Sequence, residues 1–205
     1  MPATLATINT TATDTTVDVP TSGGSAPDVS MSISLMPPGF EERVDRPIVY
    51  IGGEEEGGLP FYTWNHADSC KNFVPVNKFS ARLIDVKTMV KNADDPQKRA
   101  VKLVCEFETA SGSRVAMSCG AKTYSAIGLI SGLQSLSEEQ LQGEVGLYGK
   151  VGRNGVTFIN VYVDGNRTNG ELAVDLLREA RKDGVQIEAV QGYVDQLTAS
   201  LKEMR

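Results

Sequence analysis

Between residues 78 and 164 the hydrophobic period of the chain switches from two residues to the helical value and back to two. Few folds accept that order. Phe79–Val90 reads as a first strand, with Leu83 on one face and Ile84 and Val86 on the other. A polar loop, Lys91–Arg99, follows, and Asp95-Pro96 marks it as a turn. In the second strand, Ala100–Thr109, Val101, Leu103, Cys105 and Phe107 alternate with Lys102, Val104, Glu106 and Glu108. Ser111-Gly112 turns the chain into a third strand, Arg114–Cys119, with Val115, Met117 and Cys119 on its apolar side. From Tyr124 to Leu141, Ile127, Ile130, Leu133 and Leu136 fall at helical spacing, and Ser137-Glu138-Glu139 signals a break or a second short helix. Gly143–Gly152 and Val156–Asp164 then form a last hairpin, turning at Arg153-Asn154-Gly155.

Strand, strand, strand, helix, strand, strand is the order of the OB-fold, a five-stranded Greek-key barrel. The expected fold class is therefore mainly β: an OB-like barrel over residues 78–167, with a helix between strands three and four, plus C-terminal α-helices. Closure is expected because it protects the edges of short, strongly twisted strands. Glycines at 143, 146, 149, 152 and 155 fit a strand that must coil sharply to close a small barrel.

The flanks differ in character. Eight threonines fall in the first 21 positions, and residues 1–30 have no apolar period to bury, so a disordered tail is expected there. Residues 31–77 read as an irregular extension with one short strand, Pro47–Ile51, an acidic turn, Glu54–Gly58, and an aromatic cluster, Phe61, Tyr62 and Trp64. Residues 168–205 read as helical: one helix begins at Asn169-Gly170-Glu171 and runs to Lys182, stopped at Gly184, and a second covers Gln186–Met204. In the second, Ile187, Val190, Val194, Leu197 and Leu201 are spaced 3, 4, 3 and 4, as in a coiled-coil seam. That seam serves either helix pairing within the chain or a contact with a second copy or another protein.

Catalysis is poorly supplied. His66 is the only histidine, there is no G-x-S-x-G elbow, and Gly149-Lys150 resembles a phosphate loop only superficially, since Val151 stands where Ser or Thr is required. An enzyme is not expected, and no cofactor. His66 and Cys70 lie four apart and could join Cys105 and Cys119 at a zinc ion, but no C-x-x-C pair exists. Cys105 and Cys119 fall on apolar strand phases, where cysteine acts as a small hydrophobe, so no metal is expected either. No apolar run approaches the roughly 18 residues of a membrane span. The first basic residue is Arg43, which does not fit a secretory leader, and three widely spaced cysteines do not form a disulfide framework. A cytoplasmic location without membrane contact is expected.

The net charge of −6 is uneven: residues 1–77 carry 3 Lys/Arg against 10 Asp/Glu, residues 78–167 carry 12 against 9, and residues 168–205 carry 5 against 7. A basic middle in an acidic chain is compatible with a polyanionic partner. The outward strand phases carry the chemistry for one. If Leu103 and Cys105 face inward, Lys102 faces outward; by the same alternation Tyr148, Lys150, Phe158 and Tyr162 face outward, and Arg82, Arg114 and Arg153 add cations at strand and turn positions. Aromatic and basic groups interleaved in this way suit single-stranded nucleic acid, because cations follow phosphates while rings stack on bases. The alternative is that Phe158 and Tyr162 pack under the terminal segments.

The run Phe79-Ser80-Ala81-Arg82-Leu83, the paired strands Val101–Phe107 and Val115–Cys119, and the closing hairpin Tyr148–Arg153 with Val156–Val163 together resemble the OB-fold single-stranded DNA-binding proteins. The resemblance covers residues 78–167, under half the chain. It implies a non-enzymatic accessory of replication or recombination that binds single-stranded DNA, or RNA by the same means. Bacterial members end in an acidic tip with a terminal Phe that recruits partners, whereas this chain ends in Lys202-Glu203-Met204-Arg205. The alternatives are an assembly factor using the same barrel as a scaffold, or an enzyme subunit whose active site lies on another chain.

Overall fold

The computed structural model describes residues 47–168 and 170–205; the expected tail at 1–30 lies outside them. The strands are β1 (Ile48–Ile51), β2 (Phe61–Asn65), β3 (Cys70–Phe73), β4 (Lys78–Lys91), β5 (Ala100–Glu108), β6 (Arg114–Gly120), β7 (Glu144–Val151), β8 (Thr157–Val163) and β9 (Asn166–Arg167). Helices α1 (Tyr124–Gln134) and α2 (Glu138–Gln142) separate β6 from β7, while α3 (Glu171–Lys182) and α4 (Gln186–Glu203) end the chain. The helix boundary expected near Ser137 is explained by capping. Thr123 accepts from the Ala126 amide to start α1, and Ser137 and Gln140 form a reciprocal capping box that starts α2.

Among the described residues all nine strands join one sheet, in the order β3-β2-β1-β6-β5-β4-β7-β8-β9. Its hydrogen bonding is open, where the sequence reading expects five strands closed into a barrel. The difference lies in residues 47–73. Read as an irregular extension with one short strand at Pro47–Ile51, they supply three strands: the expected one is β1, which runs parallel to β6 with Tyr50 beside Ser118, occupying the edge of β6. The unexpected strands β2 and β3 have only five and four residues and are joined by a turn, so their period is hard to detect.

The sheet nevertheless curls strongly. Along it β1 stands four places from β7, about 19 Å away if the sheet were flat at about 4.8 Å per strand. Yet the β1–β2 loop touches the β7–β8 hairpin: the Gly57 amide donates to the Val151 carbonyl at 3.0 Å and the Gly53 amide to Thr157 Oγ1 at 2.7 Å. Gly149 permits the approach, since a Cβ there would lie 2.6 Å from the Pro60 ring. A long bent strand helps to produce the curl. Lys78–Arg82 of β4 pairs with β7 and Arg82–Lys91 pairs with β5, with a bulge between Leu83 and Asp85. The bulge also corrects the sequence reading of this strand: Leu83 and Val86, expected on opposite faces, are both buried.

Inside the curl, Leu103, Cys105, Phe107, Met117, Leu147, Ile159 and Val161 form the core with helices packed over them. Helix α1 lies directly on β8, because Gly128 has no side chain: a Cβ there would sit 2.1 Å from the Ile159 carbonyl oxygen. Helix α4 crosses β4, and the Thr198 hydroxyl donates to the Val86 carbonyl at 3.0 Å. The seam residues Val190, Val194, Leu197 and Leu201 are buried in this core, so α4 spends its apolar face within the chain. Among the described residues no helix is long and apolar enough to cross a membrane.

Candidate nucleic-acid interface

Alternation along the β7–β8 hairpin sorts its residues cleanly. Val145, Leu147, Val151, Ile159 and Val161 point into the core, which leaves Tyr148, Lys150, Phe158 and Tyr162 on the outer face. The turn is built by Asn154 and Gly155, both at positive φ (57° and 70°), the conformation that an Asn-Gly hairpin turn requires. Cross-strand register then places Lys150 beside Phe158, Tyr148 between Lys78 and Asn160, and Tyr162 between Gly146 and Arg167. Tyr148 and Tyr162 are half-buried, Lys150 is exposed, and Phe158 keeps 43% of its surface in water. Phe158 therefore does not fill the core; its ring leans on Tyr124, 5.7 Å away at an interplanar angle of 39°.

Two members of this face, Lys78 and Arg167, are missed by sequence reasoning. Lys78 gains its place from the β4–β7 register, which no local pattern reveals. Arg167 lies beyond Asp164-Gly165, whose φ values of 50° and 78° make a second tight hairpin. That dipeptide is a legible hairpin signal.

The other expected cations go elsewhere. Arg82 is paired with Glu108 across to β5 and stands opposite Glu144 on β7, while Arg114 faces Glu108 from β6. The hydrogen bond from Arg82, with the nearby Arg114 charge, holds the Glu108 carboxyl below its usual range. This end of the sheet is charge-balanced, not basic. Lys102 is half-buried on β5 beside Met89 and Gly120, with β4 between it and the hairpin. Arg153 projects from the β7–β8 turn, its side chain 90% exposed and 4.0 Å from Glu56.

A second aromatic group sits on β1–β3. Tyr50 and Tyr62 stack at 5.4 Å, Tyr62 meets Phe73 at 5.9 Å, and Lys71 and Lys91 lie over the Tyr62 and Tyr50 rings at 5.1 and 5.5 Å. Burial raises the Tyr62 phenol despite the Lys71 charge. Lys71 also pairs with Glu54 at 3.0 Å. The contacts among Tyr62, Lys71 and Phe73 are cross-strand packing between β2 and β3, and the Lys71 charge is already matched by Glu54. Of the cluster expected from sequence, Phe61 is in the core.

Cys105 and Cys119 are buried, while Cys70 is exposed in β3. Among the described residues no three His, Cys, Asp or Glu side chains group as metal ligands. No family model matches the chain, and no curated protein or solved structure is significantly similar to it.

Proposed function

We propose that the protein is a non-enzymatic binder of single-stranded nucleic acid, DNA in the first instance, acting as an accessory in replication or recombination. The observation that carries the reading is the single outer face on which Tyr148, Phe158 and Tyr162 alternate with Lys78, Lys150 and Arg167. The pairings β4–β5, β5–β6, β4–β7 and β7–β8, with a bulged strand shared between two partners, support an OB-like core as its scaffold. Lysine and arginine follow the phosphates, and the tyrosine and phenylalanine rings stack on bases, each ring contributing on the order of 1–3 kcal/mol without regard to base identity.

Charge and stacking separate experimentally on neighbouring outward positions of β7. Binding to a fluorescent oligo-dT should weaken with salt, with a slope near −0.7 per neutralised phosphate on single strands. Lys150→Ala should flatten that slope by about one contact at most. Tyr148→Ala should cost on the order of 1–3 kcal/mol and leave the slope nearly unchanged. Circular dichroism on both variants checks that the half-buried Tyr148 has not been a folding residue instead. If both variants fold and bind as the parent does, this face is not the interface.

A second reading, a protein-interaction or assembly scaffold, is favoured by one specific observation. Leu172 and Leu176, four residues apart on α3, are 75% and 47% exposed. An oligonucleotide that fails to bind at low salt, together with self-association lost in Leu172→Ser, would select that reading.

A further inference from the structure

A cleft of about 1000 Å³ opens where the β7–β8 turn, the start of α1 and one flank of α3 meet. Tyr124 and Phe158 form its aromatic wall, 38% and 43% exposed. Arg153 enters from the turn, and α3 contributes Arg178, Arg181 and Lys182, opposed by Asp175 and Glu179. Four cations against two carboxylates leave the cleft positive, in a chain whose net charge is −6.

The walls are fixed to one another. Arg181 lies 4.5 Å over the Tyr124 ring and donates to the Lys122 carbonyl and, at 3.1 Å, to Gln186 Oε1. Gln186 in turn donates to the Ala121 and Thr123 carbonyls at 2.9 and 3.2 Å, so α3, α4 and the start of α1 meet at one hydrogen-bonded corner. The outer cations are held more loosely. Arg178 meets Asp175 at 3.9 Å and Arg153 meets Glu56 at 4.0 Å, all four side chains being well exposed. Such pairs contribute little and exchange readily for a phosphate. Arg178 and Lys182, four apart, present their charges from one side of α3.

We infer that this cleft receives a nucleotide of the bound single strand, its base against Phe158 and Tyr124 and the flanking phosphates on Arg153, Arg178 and Lys182. The inference rests on the nucleic-acid reading above and extends the path of the strand. Phe158 belongs to both surfaces, since it stands beside Lys150 on the sheet and also lines the cleft. A bare anion has no use for two exposed rings, and an apolar ligand has none for four cations; a nucleotide has a π-face and a charged backbone together. Arg181 is a positioning residue in this arrangement, since its guanidinium rests on the Tyr124 ring.

The test is oligo-dT binding by fluorescence anisotropy across a salt series, with the full chain, an R178A/K182A double variant and Asp175→Asn. The double variant should lose two phosphate contacts, so its salt slope should fall by about 1.4 in magnitude, at about 0.7 per contact. Asp175→Asn should do the reverse and bind several-fold more tightly, because it removes a competing carboxylate, and a gain of that kind cannot come from misfolding. Photo-crosslinking with a halogenated thymidine analogue should label Tyr124, which lines the cleft and not the sheet face. If the parent protein binds but the double variant keeps its affinity and slope, and crosslinks reach only Tyr148, Phe158 and Tyr162, the cleft inference fails while the sheet face stands. If the parent protein does not bind at all, the reading beneath it falls as well.

Discussion

Each outward side chain of the β7–β8 hairpin draws its properties from its cross-strand neighbours. Lys150 and Phe158 face each other, so a base stacked on the ring would bring its phosphate near the ammonium group. Arg82 has the same chemistry as Arg153 but lies between Glu108 and Glu144, so its charge is already matched. The buried residues are equally specific. Desolvation pushes the Cys105 thiol well up and Cys119 to about 12, and only a thiolate attacks an alkylating agent. Iodoacetamide at mildly alkaline pH should therefore modify Cys70 alone in the native protein and all three cysteines in denaturant, counted by mass spectrometry. Native labelling of Cys105 or Cys119 at the rate of Cys70 would refute the packing of β5 against β6. Alternation alone makes the outward positions Tyr148, Lys150, Phe158 and Tyr162 legible in the sequence. The neutralisation of Arg82 and Arg114 is not legible, because it depends on which glutamate each strand register brings opposite.

At the scale of elements, α1 and β8 are joined by a contact that tolerates no methyl group. Alanine ordinarily favours a helix over glycine by about 1 kcal/mol. At Gly128 the sign should reverse, because the added Cβ would meet the Ile159 carbonyl at 2.1 Å. Overpacking of this kind costs about 1–3 kcal/mol, and each 1 kcal/mol lowers the Tm of a domain of this size by about 2–4 °C. Gly128→Ala should thus melt earlier by calorimetry, and an equal or higher Tm would contradict the helix placement. The order of β4, β5, β6, α1, β7 and β8 is readable from hydrophobic period, and so are the two C-terminal helices. Of the first three strands only β1 is readable, as the short strand Pro47–Ile51; β2 and β3 are not, since they are only five and four residues long, and the pairing of β1 with the distant β6 is not readable either. The bulge in β4 defeats a strict period of two in the same way: it shifts the phase, so Leu83 and Val86 share the core.

Across the whole molecule, the curl of the sheet brings the β1–β2 loop onto the β7–β8 hairpin, while the helices fill the interior. The seam of α4 is spent on that interior, which leaves Leu172 and Leu176 of α3 as the exposed large apolar groups of the two C-terminal helices. The acidic total of the chain is compatible with a polyanionic partner only if its cations are gathered locally, as Lys78, Lys150 and Arg167 are on the sheet and Arg153, Arg178 and Lys182 are at the cleft. On the proposed reading, this face takes a single strand whose bases are free to stack. The most direct measurement compares equilibrium binding of the parent protein to an oligo-dT and to a duplex of equal length, at low and moderate salt. The single strand should bind more tightly, its affinity should fall as salt rises, and the duplex should be weaker because its bases are already stacked. No binding of the single strand at low salt, or a duplex bound as tightly as the single strand, would contradict it.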